Sequence, residues 1–309
     1  MRGEPTRGKQ ILIMAGGAIG FGAVGWLVLG PLWTIAGAAA GAVIAWIGTV
    51  IVWALASRDP AILLNQDKPD EALARLRSQI PEIRTLARIW PSQFRDVLAS
   101  RLILQSDALH AHRLNTAALR SAEEAVGIYQ NLAAARPGKY GPDLADALDS
   151  QSRLLAAEGC QAEAVAAIET AARLYRNLAA ADPGKYLPVL AEALTCQAGW
   201  LDDIDDSLAL AAASEATSIY WHKLPWPEIP SCAALAALLE GQLLCRQARY
   251  HEAARMLARG WHVAASQDQR DALGDATPAL QAAYAANPDD FAHVWHAETG
   301  AEPPNWLGH

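Results

Sequence analysis

Tyr129–Leu148 reads YQNLAAARPGKYGPDLADAL, and Tyr175–Leu194 reads YRNLAAADPGKYLPVLAEAL. The second string is the first displaced by 46 positions, and the displacement extends well beyond both. Pro91, Pro137 and Pro183 keep it, as do Phe94, Tyr140 and Tyr186, and Leu98, Leu144 and Leu190. Leu102, Leu148 and Leu194 follow in phase, and Leu86, Leu132 and Leu178 recur on the preceding segment. A further copy arrives one residue early: Tyr220, Leu235, Leu239 and Gln242 stand 45 after Tyr175, Leu190, Leu194 and Gln197. Self-similarity at a fixed period of this length means that one supersecondary unit is stacked on its copies.

Each unit divides into two helices. In one, a helix opening at Pro142 carries Leu144, Leu148, Gln151 and Leu155 at steps of four, three and four. Glu158-Gly159 closes it, since glycine accepts the left-handed cap conformation. Gln161–Ala181 is then a longer helix with Ala164, Ile168, Ala171, Leu174, Tyr175 and Leu178 along one face. Asp182-Pro183-Gly184 stops it. Neither helix buries its stripe alone, so neighbouring pairs must cover each other. Composition agrees: 52% of the 309 residues are hydrophobic, alanine abounds and only three are Phe. Ala and Leu lose little entropy on entering a helix. No alternating β-branched run marks a strand, so the chain is expected to be all-α.

The strings Glu158-Gly159-Cys160-Gln161-Ala162-Glu163-Ala164 and Gln247-Ala248-Arg249-Tyr250-His251-Glu252-Ala253 resemble the turn and second-helix start of tetratricopeptide repeats. In that family a small residue closes the first helix, and an acidic residue with Ala opens the second. The longer period resembles the extended repeats of kinesin light chains and of many actinobacterial repeat proteins, the NLAAADPGKYLPVLAEAL style especially the latter. The resemblance covers about residues 67–267 and implies a solenoid that binds protein or peptide on its concave face. Residues 268–309 should cap it, with a helix over Arg270–Ala286, a short one over Asp289–Ala297, and an extended Glu302–Leu307 whose Trp306 either tucks into the last groove or belongs to a disordered tail.

Ahead of the repeat, Ile11–Ser57 contains no charged residue. One spanning helix needs ~20 apolar residues, so this run suffices for two. Gly30-Pro31 marks a turn between spans over about 11–29 and 32–56, making residues 1–57 a transmembrane hairpin, with a secretory signal peptide as the other reading of the first span. Gly16 and Gly20, and likewise Gly37 and Gly41, are four apart and line helix faces that pack closely, within the hairpin or between copies. Arg2, Arg7 and Lys9 before the first span and Arg58 after the second place both ends on the cytoplasmic side of a bacterial inner membrane.

Residues 1–56 carry three basic side chains against Glu4, a net of +2. The remainder holds 22 basic and 32 acidic residues, a net of −10. Such a surface repels phosphate backbones, so nucleic acid is a poor partner, and anionic lipid should repel it too. Cys160, Cys196, Cys232 and Cys245 form no CxxC pair, so neither a disulfide framework nor a zinc site is indicated. His293 and His296 share a face with Asp289 one turn earlier, but Asp289 and Asp290 suit the first turn of a helix. Asp202-Asp203 and Asp205-Asp206 suit capping at a helix boundary. No phosphate-cradling or nucleophile-elbow motif occurs, and no catalytic residue, cofactor or metal is expected.

Gln105, Gln151, Gln197 and Gln242 admit two readings. They either meet an extended peptide in the groove or bond a neighbouring helix pair, and their phase with the core leucines favours the second. Asp146 and Glu192 share one repeated, more solvated position and are the better groove residues. These features predict a non-enzymatic, membrane-tethered scaffold for a protein partner. An accessory subunit of a membrane enzyme or secretion complex, or a ligand-sensing repeat domain, are the alternatives; the oligomeric state is open.

Overall fold

The computed structural model of the chain describes residues 60–66, 68–224, 232–267 and 269–308. They contain α-helices, one short 3-10 helix and no strand. The two expected spans, with Gly16, Gly20, Gly37 and Gly41, lie outside the described residues. No described helix is long and apolar enough to cross a membrane. The chain divides into two compact units, Met1–Arg75 and Leu76–His309. The first holds α1 (Pro60–Asn65) and the start of α2 (Pro69–Ile89), where Lys68 pairs with Glu71 at 3.7 Å.

In the second unit the period resolves into its parts. Helices α3 (Pro91–Ala111), α4 (Asn115–Ala135), α5 (Pro137–Ala157) and α6 (Gln161–Ala181) have 21 residues each. A three-residue turn follows each odd helix, and a single residue, Arg136 or Asp182, follows each even one. Two helices, one turn and one junction residue make 46. Proline occupies the first helical position of α3 and α5, where its missing N–H has no intrahelical partner anyway.

The expected opening at Pro142 is therefore corrected: α5 starts five residues earlier, and Pro142 is inside it. Pro137 fixes the first turn, so the later ring forfeits one hydrogen bond without preventing nucleation. Pro188 stands likewise inside α7 (Pro183–Leu201). The glycine cap holds as expected. Gly159 has φ +80°, and Cys160 N–H donates back to Leu155 O at 2.9 Å. Arg113 (φ 58°) and Ala248 (φ 57°) occupy the same place in two other turns, closed by the same bond from Leu114 and Arg249.

The solenoid continues through α8 (Asp206–His222), α9 (Cys232–Arg246), α10 (Tyr250–Ser266), α11 (Arg270–Ala286) and α12 (Pro288–Thr299). Asp205 caps α8, accepting from Ser207 and Leu208 N–H at 2.9 and 3.1 Å. The core is alanine between larger anchors. On α6, Ala164, Ile168, Ala171, Ala172, Tyr175 and Ala179 are buried, whereas the expected Leu174 and Leu178 are half-buried at the stripe's edge. Each fully buried Ile or Leu contributes roughly 1.5–3 kcal/mol. The α9–α10 contact interlocks most tightly: a Cβ on Gly241 would stand 2.6 Å from Leu257 Cγ, and one on Gly260 2.7 Å from Leu238 Cγ.

The C-terminal end is closed by aromatic rings. Trp261 lies 6.2 Å from Trp295 and 5.8 Å from Trp306, and Phe291 stacks on Trp295 at 5.5 Å. Phe291 stands three after Pro288, the spacing of Pro91–Phe94 and Pro137–Tyr140, a repeat signal the sequence reading passed over. The expected extended tail is corrected in its last part, because Asn305–Gly308 is a 3-10 turn that buries Leu307.

Candidate functional site

The two sets of helices form different layers. Among the odd-numbered helices, α3 approaches α5, α7 approaches α9, and α9 approaches α11 backbone to backbone. Long side chains link even helices: Arg84 of α2 grips Glu124 of α4 at 2.9 and 2.7 Å, and Arg176 of α6 grips Glu215 of α8 at 2.9 and 2.6 Å, whereas α10 and α12 also approach backbone to backbone. Arg259 of α10 reaches Glu298 of α12 at 2.8 Å. Up to α9 the odd helices are the more closely spaced set, as on the inner side of a curved stack.

Carboxylates gather on that layer: Asp96 on α3, Asp143, Asp146 and Asp149 on α5, and Glu192 on α7. Steps of three residues put the α5 trio along one side of the helix. Few cations answer them. Lys139 Nζ lies 3.6 Å from Asp96 and donates to Tyr140 Oη at 2.7 Å, and Arg153 pairs with Asp149 at 3.0 Å. Tyrosine hydroxyls take part of the load. Tyr140 Oη donates to Asp96 at 3.3 Å, and Tyr175 Oη, from α6, donates to Asp146 at 2.7 Å.

Burial, then the neighbouring Asp146 and Asp96 charges, push the Asp143 carboxyl above the ordinary carboxylate range. Burial likewise raises Asp149, with Asp146 and Glu192 adding to it and Arg153 opposing. The Tyr129 and Tyr175 hydroxyls are held protonated by burial and nearby aspartates. Burial also pushes the Cys196 thiol up to about 11, which leaves no thiolate nucleophile there near neutral pH.

Asp146 and Glu192 both fall on this band and are exposed. Cys232 Sγ lies 3.8 Å from Glu192 and accepts from Tyr220 Oη at 3.0 Å. The glutamines divide. Gln105 accepts from Ser121 Oγ across α3–α4 at 3.1 Å, and Gln242 Nε2 donates to Asp275 O across α9–α11 at 3.0 Å. Gln151 is half-buried, and Gln197 Oε1 is buried without a hydrogen-bond partner. Sequence reasoning missed Asp96, Asp143 and Asp149, although the i, i+3, i+6 aspartates of PDLADALDS were visible.

His293 and His296 are both exposed, and the described residues contain no group of three metal-ligating side chains. Asp290 instead pairs with His251 at 2.9 Å, and its N–H is capped by Asn287 at 3.2 Å.

These residues form an all-α protein built of stacked helical repeats. No protein-family model matches the chain, and no curated protein does. Among solved structures, the crystal structure of BtubC (BKLC) from P. vanneervenii is similar at 18% identity with a TM-score of 0.49, over 76% of this chain and 94% of that one.

Proposed function

We propose that the chain is a non-enzymatic scaffold of tetratricopeptide type, held at a bacterial inner membrane by residues 1–57 with its repeats in the cytoplasm. The inner layer binds an extended segment of a partner protein that carries Lys or Arg side chains. One observation carries this reading. Asp96, Asp143, Asp146, Asp149 and Glu192 gather on neighbouring odd helices, and desolvation and mutual repulsion already raise Asp143 and Asp149. A cationic partner relieves that repulsion and gains charge-assisted hydrogen bonds. The uncharged run Ile11–Ser57 supports the tether, which raises local concentration at the membrane.

The test is a pull-down with the full chain in detergent, beside a variant carrying Asp143→Asn, Asp146→Asn and Glu192→Gln. The full chain should retain a protein that the variant loses, and a Lys-rich peptide should compete for it. Equal retention by both chains removes the inner layer as the binding face.

A further inference from the structure

Charge in this chain is segregated more sharply than its total suggests. Between Leu76 and Gln105, five arginines accompany only Glu82 and Asp96, a net of +3 in a chain of net −8. From Ser106 onward there are 14 basic and 26 acidic residues, a net of −12. The repulsion from anionic lipid expected of the repeats therefore belongs to α4 and beyond. An anionic surface attracts the stretch from Leu76 to Gln105, which includes the α2–α3 junction, and repels the segment after it, which orients the molecule.

Three arginines meet at one place there. Arg84 and Arg88 of α2 and Arg95 of α3 rim an open pocket of about 340 Å3 whose floor includes Ala87, Leu98 and Ile128. Arg84 is already neutralised by Glu124, and Asp96 turns to Lys139 and Tyr140. Glu82, two residues before Arg84, lies on another side of the helix. The Arg88 and Arg95 guanidinium groups make no hydrogen bond or ion pair with any described residue. Beside them, the α2–α3 junction exposes Ile89 at 59% and Trp90 at 39%, the Trp90 ring resting 6.3 Å from Phe94. Adjacent exposed Ile and Trp flanked by free guanidinium groups combine two features of a bilayer interface. Tryptophan favours the headgroup level, and arginine takes phosphate in bidentate fashion.

We infer that the α2–α3 junction docks on an anionic lipid surface, with Ile89 and Trp90 entering the headgroup boundary while Arg88 and Arg95 hold lipid phosphates. The inference does not depend on residues 1–57 being an anchor, nor on a partner in the inner layer. The full chain is placed with bilayers of phosphatidylcholine alone or of phosphatidylcholine with phosphatidylglycerol, and amide hydrogen exchange is read over residues 84–98. The anionic bilayers should slow exchange there roughly tenfold while leaving α9 and α10 unchanged. Joint Arg88→Gln and Arg95→Gln replacement at these exposed positions should abolish the difference, as should high salt. Equal exchange with both bilayers overturns the inference, and so does the same slowing by inorganic phosphate with the neutral bilayer, which assigns the pocket to a free anion. Resistance of the chain to alkaline extraction reports separately on the apolar segment.

Discussion

Arg176 on α6 meets Glu215 on α8 in a two-pronged ion pair, whereas Asp149 on α5 has Asp146 and Glu192 for neighbours as well as Arg153. Both helices belong to one unit, repeat with one period and are rich in alanine. Between α2 and α4 and between α6 and α8, charge ties one unit to the next. The odd helices bring carboxylates of neighbouring units together, and Lys139 and Arg153 answer them only in part. Where ionic groups are matched, they serve the stack; where they crowd, burial and mutual repulsion raise Asp143 and Asp149.

Tyr175 joins the two layers and gives the largest expected effect. Its ring is 1% exposed and its hydroxyl crosses to Asp146. Tyr175→Ala should cost about 3–5 kcal/mol, and Tyr175→Phe about 1 kcal/mol through the lost hydrogen bond. Denaturant titration followed by amide exchange in α5 and α6 measures both. A Phe variant as unstable as Ala would mean that the hydroxyl, not the ring, joins the layers.

The outer pair should matter less. A double-mutant cycle on Arg176→Ala and Glu215→Ala should give a coupling of about 0.2–1 kcal/mol, because both side chains are partly exposed. Added salt should shrink it. No coupling would leave the even layer held by packing alone.

The smallest effect has the opposite sign. A carboxyl raised in the folded state favours its protonated form there. Its contribution to stability is complete below the unfolded value and is lost as pH rises through the folded one. Asp149→Asn should therefore stabilise the fold at neutral pH by on the order of 0.5 kcal/mol or less, since the Arg153 pair is lost with the charge. The gain should vanish below about pH 4, where the wild-type carboxyl is itself neutral. Thermal melts at both pH values read it. Destabilisation at neutral pH would show that Arg153 outweighs the repulsion and would undo the contrast between the layers.

The repeat and most helix limits were legible because they are local. Gly159 announces its turn, and α6 and α11 match their expected spans residue for residue. Pro142 misled because a proline reads as a start wherever it falls, and only the earlier Pro137 reveals it as interior. The site was half legible. Asp146 and Glu192 repeat and could be found by phase, but Asp96 lies outside that phase. Its link to Tyr140 spans 44 residues, a contact that exists only once the units are stacked. The even-layer pairs were invisible for the same reason, since Arg84 and Glu124 stand 40 apart on faces that each look merely solvated.

Trp90, Arg136 and Asp182 are each the lone link from one helix to the next, with φ between −126° and −145° and ψ between 70° and 83°. A link of one residue has no slack, so each new unit is aimed by the one before it. Inserting a single residue after Ala181 would swing α7 by about 100° and carry Glu192 away from the line of the α5 aspartates. A ligand that reads several units must therefore bring its own groups at the interval this ruler sets.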